Sequence, residues 1–152
     1  MNEVVVGAAR HRRGGMICKG SHMGDPGPSW HGGGYLRMDD EARDTIERFH
    51  EALNSRDLDA LGDLITDDCV FEATSPAPDG TRHVGRQAVL EACRVFFTES
   101  PAAHFEMEEM FGAGERVIVR WLYSWADGHV RGVDLLRVRA GRVAESLAYV
   151  KG

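Results

Sequence analysis

The sequence predicts a single α+β domain, with helices in the first half and antiparallel strands in the second. Two observations lead to this prediction. Apolar residues recur at helical spacing within residues 38–57, 57–65 and 86–97, whereas after Pro101 they alternate with polar residues as in strands. A chain of 152 residues, 43% of them apolar, suits one domain with one core.

The first predicted helix begins after Met38, and acidic residues fill its first turn, where the helix dipole favours them. Its apolar stripe consists of Ala42, Ile46, Phe49 and Leu53. A second, short helix follows Asp57, a residue type that commonly caps helix N-termini. The third helix spans 86–97, "RQAVLEACRVFF".

Strands account for most of the remaining sequence. Residues 69–74, "CVFEAT", predict the first strand, and "SPAPDG" at 75–80 predicts a loop. Turns that contain glycine separate four later strands, which we predict at 103–111, 116–125, 129–138 and 142–150. The predicted order is therefore α-α-β-α-β-β-β-β.

Residues 1–38 differ in composition from the rest. They hold nine of the eighteen glycines and show no sustained periodicity, so we expect a disordered or loosely docked arm that precedes a domain at 39–152. The "GSHM" at 20–23 looks like the scar of a cleaved expression tag. The possible ligands in this arm, Cys18, His11, His22 and His31, match no known metal-site spacing, so we expect no metal.

Charge and cysteine content exclude several functions. The net charge is −6, and it is more negative still for residues 39–152, so we expect no nucleic-acid partner. The three cysteines include no C-x-x-C pair, which fits a reducing cytoplasm better than a disulfide framework. No apolar stretch approaches the roughly 20 residues that span a bilayer, so we expect no membrane partner.

One carboxylate, Asp134, interrupts the apolar run "GVDLLRV" at 132–138. A buried carboxylate without a partner costs several kcal/mol or takes up a proton. Two interpretations are therefore open. Either Asp134 is paired with an arginine such as Arg120 or Arg131, or turned to solvent, or it has a chemical task.

The element order, with "LNSRDLDALGDLITDDCVFE" and "LLRVRAGRVAESLAYV", resembles the nuclear transport factor 2-like superfamily, particularly SnoaL-like polyketide cyclases and ketosteroid isomerases. The resemblance covers about residues 39–151. It implies a strongly curved mixed sheet wrapped around helices to form a cone, with a ligand pocket at the wide end. It also implies an activity without a cofactor.

The resemblance also assigns individual positions. The catalytic tyrosine of ketosteroid isomerases falls on Phe49 and their general-base aspartate falls on Ala73, so both groups are missing. Their third polar residue, an aspartate, falls on Asp134. SnoaL-like cyclases rely largely on one acid/base aspartate, which the resemblance also places at Asp134.

Strand alternation predicts which side chains share the inward face with Asp134. Trp121 and Tyr123 belong to an aromatic face of the neighbouring strand, and small residues such as Ser146 face inward from the last strand. We therefore predict Asp134 as the catalytic residue of an apolar cavity. The predicted cavity lining is Phe49, Phe71, Ala73, Trp121, Tyr123, Leu136 and Ser146.

Two functions fit this pattern. One is an enzyme, an isomerase, cyclase or dehydratase, in which Asp134 acts as acid and base on a small hydrophobic carbonyl compound. The other is a non-catalytic ligand-binding or dimerisation module. In either case the opposite sheet face predicts a homodimer. Its apolar residues are Ile118, Leu122, Val133, Leu135, Leu147 and Tyr149, with Arg120, Arg131 and Glu145 at the edge.

Overall fold

The computed structural model describes residues 37–151. The arm predicted for 1–38 therefore lies almost entirely outside the described residues, as do the four possible metal ligands considered there. The described chain begins next to the sheet, where Met38 forms an isolated parallel bridge with Gly114.

Three helices form, as the apolar spacing predicts: α1 (Asp40–Ser55), α2 (Leu58–Leu64) and α3 (Arg86–Glu99). The Asp57 carboxylate accepts a hydrogen bond from the Ala60 N–H at 2.9 Å and so caps α2. Between α1 and α2, Arg56 adopts a left-handed conformation with φ 58°, which turns the chain back over α1.

One six-stranded mixed sheet contains all the described strands. Their bounds are β1 (Ile65–Glu72), β2 (Arg82–Val84), β3 (His104–Ala113), β4 (Arg116–Trp125), β5 (Gly128–Arg139) and β6 (Arg142–Val150). The order across the sheet is β2-β1-β6-β5-β4-β3, in which β1 and β6 are parallel and all other neighbours are antiparallel. The curved, unclosed sheet and three helices match the predicted cone.

Two details of the sheet correct the sequence prediction. β1 begins at Ile65 rather than at residue 69, because the polar residues 66–68 hide the start of the strand from an apolar pattern. The short strand β2 was not predicted. Its three residues have no periodicity of their own, and they are extended because they pair with Val70, Phe71 and Glu72 of β1.

The core lies between the helices and one face of the sheet. Ile46 of α1, Leu61 of α2 and Val89 of α3 are each at most 1% exposed, as are Val117 of β4 and Leu136 of β5. The buried core cluster contains helix residues and inward-facing strand residues. No helix among residues 37–151 is long and apolar enough to cross a membrane.

A side-chain clamp fixes α1 to the start of β3. The Asn54 side chain donates to the Phe105 carbonyl at 2.8 Å and accepts from the Phe105 N–H at 2.9 Å. The Arg56 guanidinium donates to the carbonyls of Pro101 at 2.6 Å and Ala103 at 2.8 Å, just before β3. These bonds satisfy loop carbonyls and hold the Phe105 side chain over the inward face of the sheet.

Candidate functional site

Asp134 lies in the middle of β5, between Val119 of β4 and Ala148 of β6. Directly opposed strand residues share a face, so Asp134 shares its face with Val119, which is fully buried. Leu136, two residues along, is also fully buried. Strand alternation predicts that the Asp134 side chain points inward, and the register of β4, β5 and β6 requires the same direction.

Neither arginine considered as a partner contacts Asp134. Arg120 and Arg131 lie on the outer face, where both bind Glu108, at 3.3 and 3.0 Å. Asp134 makes no salt bridge within residues 37–151. The carboxylate consequently lacks the charge compensation that would keep it ionised at low cost.

The Trp121 indole provides the partner of Asp134. Its Nε1–H donates to Asp134 Oδ1 at 2.8 Å. The other carboxyl oxygen, Oδ2, accepts no side-chain hydrogen bond from the described chain. The fully enclosed polar atoms that lack a hydrogen-bond partner do not include Oδ2. Since Asp134 is only partly buried, Oδ2 is the atom that a ligand or water can reach.

The surroundings of Asp134 favour its neutral form. Burial raises the pKa of the carboxyl from 3.8 to about 6, and the Trp121 hydrogen bond opposes this rise by stabilising the anion. A carboxyl with a pKa near 6 exchanges protons readily at neutral pH. Asp134 thus has the properties of a general acid or base.

Aromatic rings pack against the Trp121 indole that binds this carboxyl. Phe105 packs edge-on against Trp121 with ring centroids 5.6 Å apart, and it lies 4.7 Å from Tyr123. Phe96 of α3 contacts both Phe105 and Tyr123, at 6.0 and 5.8 Å. On the side of β1, Phe71 packs edge-on against Phe49 at 5.7 Å. The structure therefore places the Asp134 carboxylate, through its Trp121 partner, beside an apolar, aromatic shell.

Most of the predicted lining residues lie on this inward face. Trp121, Phe49, Leu136 and Ser146 are each buried, with at most 7% of their surface exposed. Phe71 pairs with Ser146 across the parallel β1–β6 contact, and both belong to the inward set.

Ala73 does not belong to this set. It is exposed beyond the end of β1, where its N–H donates to the Thr81 carbonyl. Tyr123 is partly buried and faces the aromatic shell.

Two surface clefts of the described residues lie away from the Asp134 carboxyl. One, of about 190 Å³, adjoins the start of α1, and the other, of about 530 Å³, lies against Tyr149 and Arg131. The open internal cavity predicted from the sequence is not one of them. Trp121 and Tyr123, which were expected to line it, contact Phe105 directly, and the internal cavity stays a prediction.

His50 is a buried polar residue that was not predicted as a site residue. It is 4% exposed, and neither ring nitrogen has a hydrogen-bond partner. Its ring lies edge-on to Phe49 and Phe105, and burial lowers its pKa from 6.5 to about 4. Its position one turn after Ile46, on the apolar stripe of α1, is the sequence signal that identifies it.

Three other polar residues of the strands lie away from the carboxyl. Glu72 is paired with Arg82, and His104 and His129 are exposed at the starts of their strands. Within residues 37–151, no group of three or more His, Cys, Asp or Glu side chains is arranged to hold a metal ion.

Comparison with known proteins places the chain in a family. The model of the SnoaL-like domain matches residues 46–146. A solved NTF2-like protein of unknown function from Mesorhizobium loti is 43% identical, with 77% of this chain and 100% of that chain covered and a TM-score of 0.68. No curated protein matches the sequence at a significant level.

Two more distant structures share the fold. A protein from Kribbella flavida, provisionally named a ketosteroid isomerase, is 19% identical with a TM-score of 0.64, over 74% of this chain and 79% of that one. A protein from Sinorhizobium meliloti, provisionally named a polyketide cyclase, is 23% identical with a TM-score of 0.61, over 70% and 94%. The chain described here belongs to the SnoaL-like domain family, within the NTF2-like superfamily.

Proposed function

We propose that the protein is a cofactor-independent enzyme that uses Asp134 as acid and base on a small hydrophobic carbonyl compound. The observation that carries this proposal is a partly buried carboxyl that has no cationic partner among residues 37–151 and is held by the Trp121 N–H beside an aromatic shell. A carboxyl held only for stability would be expected to have an arginine partner or to face water.

The proposed reaction is a proton transfer. Oδ2 of ionised Asp134 removes a proton from the carbon next to the substrate carbonyl, and the electron pair moves into the carbonyl to form an enolate. The protonated carboxyl then returns the proton to the same or another carbon. Isomerisation follows directly, and the same enolate is the nucleophile for an aldol cyclisation or the precursor for a dehydration.

Composition and relatives support this substrate class. Among residues 37–151, most side chains buried between the sheet and the helices are apolar, and His50 beside the aromatic shell is held neutral by burial, which favours a ligand without charge. Two fold relatives bear the names isomerase and cyclase. We assign the protein to the cytoplasm, because a reducing compartment keeps the buried thiols of Cys69 and Cys93 unpaired.

Deuterium exchange tests the proposal with a simple probe. The protein is incubated with 2-tetralone in D₂O, and loss of the proton signals next to the carbonyl is followed by NMR. We expect deuterium exchange to be faster with wild type than in buffer alone. In Asp134→Asn, the rate in excess of buffer should fall by at least about 100-fold. The control Glu72→Gln alters a carboxylate that Arg82 pairs away from the site, and it should retain the rate.

A binding module without catalysis is the second candidate. Phe49 occupies the position where the isomerase resemblance has its tyrosine, and it is packed in the core at 2% exposure. A protein of this kind would bind 2-tetralone, seen as shifts of its Trp121 resonances, without accelerating exchange. That result, or an Asp134→Asn variant as active as wild type, would contradict the catalytic proposal.

We also propose a homodimer through the outer face of the sheet. Register places four apolar side chains in one row across β3, β4, β5 and β6, and all four point away from the helices. They are Phe111, Ile118, Leu135 and Leu147. Phe111 is 51% exposed and Tyr149 on the same face is 56% exposed, and exposed apolar residues grouped on one face are typical of a protein–protein contact.

Charges beside this row favour a second copy as its occupant. The outer face carries both signs, with Arg120 and Arg131 around Glu108, and Arg116 paired with Glu145 at 2.6 Å. Two copies related by a two-fold axis can therefore set arginines opposite glutamates. A face of one sign would repel its own copy.

A further inference from the structure

Gly132 and Trp121 are direct neighbours across β4 and β5. A Cβ atom on residue 132 would lie 2.2 Å from Cζ2 and 2.3 Å from Cη2 of the Trp121 ring, whereas contacts under 3.0 Å essentially never occur for a real Cβ. It would also lie 2.4 Å from the Tyr149 carbonyl oxygen. The indole thus occupies the space that a side chain at 132 would take.

Gly132 is not needed for its backbone conformation. It lies inside a regular stretch of β5 without a positive φ, where glycine weakens a strand because it has no side chain to pack. Glycine at such a position is typical of a close approach by another group. Here the group that approaches is the Trp121 ring.

The position of the ring determines what its N–H reaches. Cζ2, which lies over Gly132, is bonded to Cε2, and Cε2 carries Nε1. Asp134 is two residues beyond Gly132 on the same face of β5, so Nε1 points along the strand to Asp134 Oδ1 at 2.8 Å. A ring forced off Gly132 would carry this donor away from the carboxyl.

The same strands contain a matched pair without the carboxylate. Gly128 is opposite Trp125, and a Cβ on Gly128 would lie 2.6 Å from Trp125 Cζ2. In the described chain the Trp125 N–H donates to no carboxylate. At both positions a Cβ would collide with an indole ring, and at 132 it would also collide with the Tyr149 carbonyl, but only the Trp121 ring is connected to Asp134.

We infer that Gly132 and Trp121 are positioning residues for the proposed acid/base group. Gly132 provides the space for the indole, whose N–H holds Asp134 Oδ1 and leaves Oδ2 to meet the substrate. This inference rests on the proposed function for its catalytic meaning, but its geometry is testable without a substrate.

The test is an NMR titration of the Asp134 carboxyl carbon and the Trp121 indole N–H. In wild type, we expect both signals to titrate with one midpoint, because the donor senses the charge of its acceptor. In Trp121→Phe and Gly132→Ala, the midpoint should move upward by about one pH unit, since the anion loses its hydrogen bond. The control Gly128→Ala should leave it unchanged.

Three outcomes would overturn the inference. They are an indole N–H that ignores the Asp134 titration in wild type, a Gly132→Ala variant with the wild-type midpoint, and an equal shift in Gly128→Ala. The wild-type measurement and Trp121→Phe, which keeps an aromatic side chain and removes the N–H donor, decide the matter if Gly132→Ala does not fold. Absence of deuterium exchange, by contrast, would refute the proposed function and leave this geometry intact.

Discussion

Two buried groups should give this protein opposing responses to pH. Ionisation of Asp134 is disfavoured in the folded state, where burial raises its pKa to about 6. Protonation of His50 is also disfavoured, because burial lowers its pKa to about 4. Between about pH 4 and pH 6.5 the folded protein therefore holds a proton on Asp134 that the unfolded chain releases, and lacks one on His50 that the unfolded chain binds.

The magnitudes follow from the two pKa changes. The pKa of Asp134 rises from 3.8 in the unfolded chain to about 6 in the folded protein, so its ionisation lowers the free energy of unfolding by at most about 3 kcal/mol. This loss is absent below pH 3.8 and develops as pH rises. The pKa of His50 falls from 6.5 in the unfolded chain to about 4 in the folded protein, so neutral His50 contributes about 3 kcal/mol to the free energy of unfolding. This contribution is present above pH 6.5 and is lost as pH falls. In wild type the two contributions nearly cancel.

Single substitutions should reveal the pH dependence that each group contributes to the free energy of unfolding. As pH rises from about 4 to 7, the free energy of unfolding of Asp134→Asn should increase by about 3 kcal/mol relative to wild type. That of His50→Leu should decrease by a similar amount relative to wild type over the same range. Urea denaturation followed by tryptophan fluorescence, at one fixed protein concentration, measures both differences. Asp63→Asn, at an exposed position of α2, is the control and should run parallel to wild type. If the difference in free energy of unfolding between each variant and wild type did not change with pH, the pKa shifts that burial is said to cause in these two groups would be refuted.

Three further predictions concern assembly, capping and the arm. Leu135→Glu should convert the proposed dimer to a monomer or aggregate in sedimentation, while Val95→Glu, on exposed α3, should not; a monomeric wild type would contradict the dimer. Asp57→Ala should lower the free energy of unfolding by about 1 kcal/mol in urea denaturation, and no loss would deny its capping role. A chain that starts at Met38 should keep its melting temperature by calorimetry, unless the preceding residues pack on the domain.

The sequence could predict the face on which Asp134 lies, because register and alternation require it. Val119 and Leu136 are buried as the two-residue period predicts, and the aromatic side of β4 faces the helices. The helices were predictable for a similar reason, since α1 has a well-spaced apolar stripe and α2 has a side-chain cap at Asp57.

Contacts that depend on ring orientation were beyond the sequence. The Trp121 hydrogen bond requires the space over Gly132, and nothing in the local pattern states which ring fills it. Phe105 was not predicted as a site residue, although alternation along the strand predicted at 103–111 also places it inward. Ala73 was assigned to the site through a resemblance, and it lies beyond the strand end instead.

Asp134 as an acid/base group is the central claim, and the pH dependence of deuterium exchange tests it most directly. With 2-tetralone as the probe, the excess rate of wild type over buffer should rise with pH, reach half its plateau at about pH 6 as Asp134 ionises, and then level off. Asp134→Asn should show no such step. A wild-type rate without a plateau, or the same step in Asp134→Asn, would contradict the role assigned to this carboxyl.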